Sequence, residues 1–183
     1  MKYKLTEETK EYLGRTLHRI VCVTSFANVA AGELGGWIES EKNLDQCGNA
    51  WVCGNAKVCG DAEVCGDAWV YGDAWVYGDA EVCGDAKVYG NAWVYGDALV
   101  YGDAWVCGDA DYIVLKNNWS SGRYFTYTFS NKMWKVGCFF GTGEELIKKA
   151  YEDSEISGLC YEASVKYVEE LIRIKEGLKC KTE

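Results

Sequence analysis

The stretch GDAWVYGDAWVYGDA, residues 66–80, is one six-residue word written two and a half times. The same word, G-[DN]-A-x-V-[YC], runs from Gly48 to Cys107, with valine at 52, 58, 64, 70, 76, 82, 88, 94, 100 and 106 and alanine two residues before each. A period of six cannot keep one face of an α-helix, because six residues turn through about 600° and leave each word about 120° from the last. It does suit a short strand followed by a corner. Ala and Val, two apart, point to one side of such a strand, while x and Tyr/Cys point to the other. Gly with Asp or Asn then turns the chain, since these residues tolerate positive φ and make local side-chain turns. A parallel β-helix follows, with Ala and Val inside.

The words V-[YC]-G-[DN]-A-x resemble the hexapeptide repeat of left-handed parallel β-helices, departing from it at the second place, where Tyr or Cys stands. The resemblance implies triangular coils, each made of three such words. More narrowly, GELGGWIESEKNL leading into GNAWVCGNAKV is similar to the YdcK-like repeat proteins of phages and prophages. So is the tail KVGCFFGTGEELIKKAYEDSEISGLCYEASVKYVEEL. The resemblance implies a fold, a homotrimer and a mobile-element origin, but no particular reaction.

With three words per coil, the outward positions form columns. One face stacks Trp51, Trp69, Lys87 and Trp105 beside Cys53, Tyr71, Tyr89 and Cys107. A second stacks Lys57, Trp75 and Trp93 beside Cys59, Tyr77 and Tyr95. The third carries Glu63, Glu81 and Leu99 beside Cys65, Cys83 and Tyr101. Rungs about 4.8 Å apart bring neighbouring rings within stacking reach. Such ladders either stiffen the coil or present an apolar surface, larger than a monomer ordinarily exposes, to a partner. The expected partner surface is Trp51, Trp69, Trp75, Trp93 and Trp105 with Tyr71, Tyr77, Tyr89 and Tyr95. The first candidate partner is another copy of the chain, and an aromatic groove for a ligand is the further alternative.

The chain divides into three parts by pattern. Residues 1–45 are expected to form an N-terminal cap. In it Thr6 caps a short helix over EETKEYL, TLHRIVCVTSF makes a strand, and Gly32 to Leu44 make an irregular first coil with Ile38 and Leu44 at six-residue spacing. Residues 46–111 are the repeat. Residues 112–183 are expected to form a small α+β module. Its strands are YIVLKN, RYFTYTFS and KMWKVGCFF, with SNK as a hairpin turn. Phe125, Tyr127 and Phe129 share one strand face, as do Trp134, Val136 and Cys138. Thr142 with Glu145 forms a capping box for a helix to about Glu152. A longer helix from about Gly158 to Lys175 shows Tyr161, Val165, Val168 and Ile172 at helical spacing. The fold class expected is therefore mainly β, with a cap before the solenoid and an α+β module after it.

Charge is concentrated in the repeat. Residues 46–111 hold 2 basic and 11 acidic side chains, against net −1 before them and +1 after, and the whole chain is −9. A surface of that sign repels phosphates, so direct nucleic-acid binding by the repeat is excluded. No apolar run nears the roughly 18 residues of a membrane span, and the first residues show no export-signal pattern. A cytoplasmic protein with reduced thiols is the expectation, despite ten cysteines.

Motifs for chemistry are few. Hexapeptide-repeat acyltransferases use a histidine general base, and related carbonic anhydrases hold zinc with three histidines. This chain has one histidine, His18, outside the repeat. The cysteines follow the repeat as C-x5-C rather than a zinc-type C-x2-C spacing. Cys47, Cys65 and Cys83 stack on one face, where they fill a column that Tyr otherwise fills, reach disulfide range or hold a metal. Asp61, Asp79 and Asp97, with Asp67, Asp85 and Asp103, form corner columns that serve their own turns or meet cations. GTGEEL places two glycines before a helix, a weak phosphate-loop signal. No cofactor or metal is expected. Arg15, Arg19, Arg123, Lys132 and Lys135 are the cations available to an anionic ligand. The function expected is a non-catalytic phage or prophage scaffold that meets a partner in the bacterial host, by occluding a host protein or holding a nucleotide signal in counter-defence. The alternatives are an acidic mimic of DNA and an acyltransferase-like enzyme.

Overall fold

The computed structural model describes residues 1–179, so residues 180–183 of the expected C-terminal module lie outside the described residues. The repeat forms ten two-residue strands. They are β4 to β13, at Trp51–Val52, Lys57–Val58, Glu63–Val64, Trp69–Val70, Trp75–Val76, Glu81–Val82, Lys87–Val88, Trp93–Val94, Leu99–Val100 and Trp105–Val106. Each pairs in parallel with the strand three words away, as in Trp51↔Trp69, Lys57↔Trp75 and Glu63↔Glu81. The pairings fall into three sheets and make a β-solenoid of about four turns. Every repeat Ala and Val is fully buried. The corner glycines hold φ between +64° and +77°, the region a side chain disfavours.

The first segment differs from the helix expected at residues 7–13. Residues Tyr3–Tyr12 form β1, which pairs antiparallel with β2 (Arg15–Cys22). Leu13 (φ 48°) and Gly14 (φ 76°) make the two-residue turn, the geometry that a tight hairpin requires. Helix-favouring Glu and Lys are overridden because the strand buries Tyr3 completely in the solenoid core. β3 (Leu34–Ile38) then joins β2 to β5, with Ile38 beside Val58, and Leu44 bridges to Val64. Both partners lie further along the chain than three words, which makes the first coil irregular. Gly35 and Gly36 have no alternative. A Cβ on the first would lie 2.7 Å from the Val52 carbonyl, and on the second 2.8 Å from the Ala56 carbonyl.

Both ends of the stack are closed group by group. Ladder groups on an outermost strand are unpaired unless something supplies the partner. At the first coil, Ala50 O accepts from Lys2 Nζ (2.9 Å), Ala56 O from Trp37 N (2.9 Å) and Ala62 O from Asn43 Nδ2 (2.8 Å), one on each sheet. Lys2 is itself buried, and that burial holds its ammonium below the usual lysine value against the upward pull of Asp45. At the last coil, the N–H groups of Trp93, Leu99 and Trp105 donate to Asp109 Oδ1, Thr126 Oγ1 and Ser130 Oγ, at 2.9, 2.9 and 2.7 Å.

After the solenoid come four antiparallel strands in sequence order, β14 (Tyr112–Lys116), β15 (Tyr124–Thr128), β16 (Met133–Val136) and β17 (Phe139–Gly141). The alternation of the sequence predicts three. Gly137, at φ 54°, breaks the third into a hairpin, so Cys138 sits exposed in a turn instead of sharing a strand face with Trp134. α1 (Gly143–Asp153) opens with the Thr142/Glu145 capping box, and α2 (Glu155–Lys179) begins earlier than expected. Tyr161, Val165 and Val168 bury against Phe125, Tyr127 and Trp134 in a second core.

Against the expectation of reduced thiols, Cys65 and Cys83 are joined as a disulfide between adjacent coils, with Cα atoms 4.7 Å apart and a sequence separation of 18. This column does more than substitute for tyrosine. Closing a loop of that length restricts the unfolded chain by about 3 kcal/mol in the chain-entropy model. Cys65→Ser is therefore expected to lower the unfolding free energy by about 2–3 kcal/mol. The loss should show in denaturant melts under oxidising conditions and vanish when both proteins are reduced.

Candidate binding surface

The outward columns do not share one environment. The β1–β2 hairpin and the segment after it fold back over the first rungs of two sheets. Trp51 is fully buried beneath Tyr3 and Phe26, with ring centroids 6.4 and 5.5 Å away. Trp75 is 5% exposed, covered by Tyr12 at 4.8 Å and flanked by Tyr77 at 4.3 Å. These two rings are core, so they leave the partner surface expected from the sequence. Both indole N–H groups are buried without a partner. Trp69, Tyr71, Tyr77 and Tyr89 are half-buried.

The rungs beyond the hairpin stay open. Trp93 is 42%, Tyr95 48% and Trp105 53% exposed. Tyr77 and Tyr95 stack nearly parallel at 5.4 Å, as do Tyr71 and Tyr89 at 5.2 Å, the spacing that coil-to-coil repetition sets. Lys87 lies 5.1 Å from the Trp105 ring centre, within cation–π range. Where the hairpin's following loop meets the first ladder, a cleft of 590 Å³ is lined by Asn28, Asn49, Asp67, Trp69, Tyr71 and Lys87, among others. Asn49 donates from its backbone and its side chain to Asp67, which fixes the polar edge of that cleft.

The five candidate cations do not converge. Arg15 is held by both oxygens of Glu39, and Arg19 lies over Trp37, 4.0 Å from Glu8. These two belong to the N-terminal hairpin. Arg123, Lys132 and Lys135 belong to the C-terminal module. Arg123 lines a cleft with Asp79, Glu81 and Asp97, and Lys135 lies 4.1 Å from the Tyr101 ring centre. Burial, followed by a hydrogen bond to Glu81, raises the Tyr101 hydroxyl well above the ordinary tyrosine value. His18 is half-buried in β2, paired with Thr9 and Ile38. Asp61 pairs with Lys42, and Asp67 and Asp73 accept from Asn49 and Asn55, so these corner carboxylates are engaged locally. Among the described residues no group of three His, Cys, Asp or Glu is arranged to hold a metal. No helix among them is long and apolar enough to cross a membrane.

The family model for the YdcK beta solenoid repeat matches residues 92–108, the coil that carries Trp93, Tyr95 and Trp105. That one coil is similar to the YdcK repeat. The chain is also 36% identical over 59 residues to a protein of Escherichia coli (strain K12) named "Uncharacterized acetyltransferase YdcK". That match covers 28% of this chain and 18% of the YdcK protein, so it relates the two through a segment and not through their whole lengths. The signals for the covered rungs lay outside the repeat, in the Leu13-Gly14 turn and in the alternation of β1, both of which helix propensity obscured.

Proposed function

We propose that this chain is a non-catalytic binding protein whose working surface is the open end of its aromatic ladders, at Trp93, Tyr95 and Trp105. The observation that carries this reading is the asymmetry of exposure along one repeated sequence. Equivalent rings are sealed under the hairpin at one end and left open at the other. Exposed tryptophan and tyrosine beside a cation are the residue types that dominate protein–protein hot spots. In this reading the coils are left-handed and triangular, three copies assemble, and a host protein in the bacterial cytoplasm is the partner of a phage- or prophage-encoded scaffold. Occlusion of a protein is favoured over capture of a nucleotide, because the cations lie in separate parts of the molecule.

The test separates surface from scaffold. Trp93→Ala with Trp105→Ala should leave a folded, cooperatively melting solenoid at a cost of roughly 2–4 kcal/mol, since each ring is about half buried and Trp93 packs on Trp75 at 5.0 Å. The same pair should reduce partner capture from host lysate, or subunit number by light scattering, at least tenfold. Unchanged capture and unchanged mass would remove the proposed role of the ladder.

A second reading comes from the printed name of the E. coli relative, an acetyltransferase. It requires a proton acceptor, and the side chain of that type here is His18 in the hairpin. Turnover of acetyl-CoA by this chain that His18→Ala abolishes would favour it over the binding reading.

A further inference from the structure

The second long apolar feature lies away from the solenoid, on the outer side of α2. Ile156, Leu159, Tyr167 and Ile174 are 64%, 53%, 53% and 50% exposed. With Ala163 they recur at intervals of three, four, four and seven residues. At about 100° per residue this confines them to one narrow stripe. The stripe is nearly opposite the face of Tyr161, Val165 and Val168 that packs on the sheet. A helix already satisfied on its inner side needs no outer stripe for its own fold.

We propose that this stripe is the contact by which α2 pairs, antiparallel, with α2 of a second copy. The pattern is two-fold about the level of Val165. In that pairing Ile156 meets Ile174, and the methyl of Ala163 faces the ring of Tyr167. Charge selects the antiparallel sense. The start of the helix is acidic, with Glu152 and Asp153 just before it and Glu155 within it, whereas Arg173 near its end is three-quarters exposed and, among the described residues, pairs along its own helix with Glu170. Antiparallel helices set Arg173 of each copy against the acidic end of the other, and parallel ones would oppose like charges. The occupant is a second copy rather than a lipid surface, because Glu155, Glu162 and Glu169 beside the stripe and Glu170 within it outnumber Lys166 and Arg173 and oppose an anionic bilayer.

The experiment is sedimentation equilibrium of the full chain, from about 1 to 200 μM. It is run in parallel for Leu159→Lys/Tyr167→Lys and Arg173→Glu, and for Arg173→Glu combined with Glu155→Arg. The wild type should show twice the limiting mass of the double-lysine variant. Arg173→Glu should weaken association at least fivefold, and the charge-swapped pair should restore it. Far-ultraviolet dichroism should be unchanged throughout, because every altered residue is exposed. Equal masses for wild type and double-lysine variant, or flotation of the wild type with anionic vesicles at those concentrations, would overturn the proposal. The Trp93→Ala/Trp105→Ala protein serves as a second background. A twofold mass difference that persists there belongs to α2 and not to the ladders.

Discussion

Val76→Asp leaves no folded solenoid. Val76 is fully buried, midway along its sheet, between Val58 on one rung and Val94 on the next. Its neighbours inward are the Ala and Val side chains of the other two walls, which offer no donor to a carboxylate. An unpaired charge in such a place costs several kcal/mol even after its pKa rises to neutralise it. Total stabilities of about 5–15 kcal/mol cannot absorb that loss where the core is one residue thick. Circular dichroism and size exclusion of the soluble fraction check the result. Val76→Ala is the control. It removes two carbon atoms, costs about 2 kcal/mol and should remain folded. A folded, cooperatively melting Val76→Asp protein would mean that the side chain faces water.

Asn43→Leu is expected to unfasten the first coil, with the same side-chain branching and number of heavy atoms. The Asn43 side chain is fully buried and makes four hydrogen bonds. Its Nδ2 donates to Gly60 O at 3.0 Å and to Ala62 O at 2.8 Å, and its Oδ1 accepts from Ser40 N at 2.9 Å and Ser40 Oγ at 3.4 Å. Leucine leaves two carbonyls and one N–H without these partners, at about 1–3 kcal/mol for each group that stays dry. The sum, roughly 3–9 kcal/mol, corresponds to a fall in melting temperature of roughly 6 °C or more for a chain of this size. Hydrogen exchange should locate the damage, with amides of β5 and β6 losing protection before those of β11 and β12. Uniform loss along the solenoid would contradict a local fastening role.

Much of the solenoid was legible because its instruction is local and repeated. Gly at the corner, Ala and Val two apart, and a large residue between them suffice to set the strand, the turn and the inward face. The Thr142/Glu145 box was legible for the same reason, since donor and acceptor are three residues apart. β1 was not. YKLTEETKEY carries helix-forming Glu and Lys, and only its pairing with β2 and the burial of Tyr3 against Trp51 make it a strand. The split at Gly137 was likewise hidden inside a run that alternates like a single strand.

The sequence by itself determined the period and which side chains line the interior, while the pairing of strands three words apart was only what the resemblance to hexapeptide repeats implied. It could not rank one rung against another, because a repeated word makes every coil locally equivalent: Trp51, Trp75 and Trp93 stand in the same word. The tertiary structure broke that equivalence. A hairpin formed by residues 3–22 lies over the first rungs and not the last. The closing partners of the two ends, Lys2 and Asn43 at one and Asp109, Thr126 and Ser130 at the other, come from outside the repeat. Exposure is a property of what covers a residue, and here the cover is supplied by segments that the repeat does not encode.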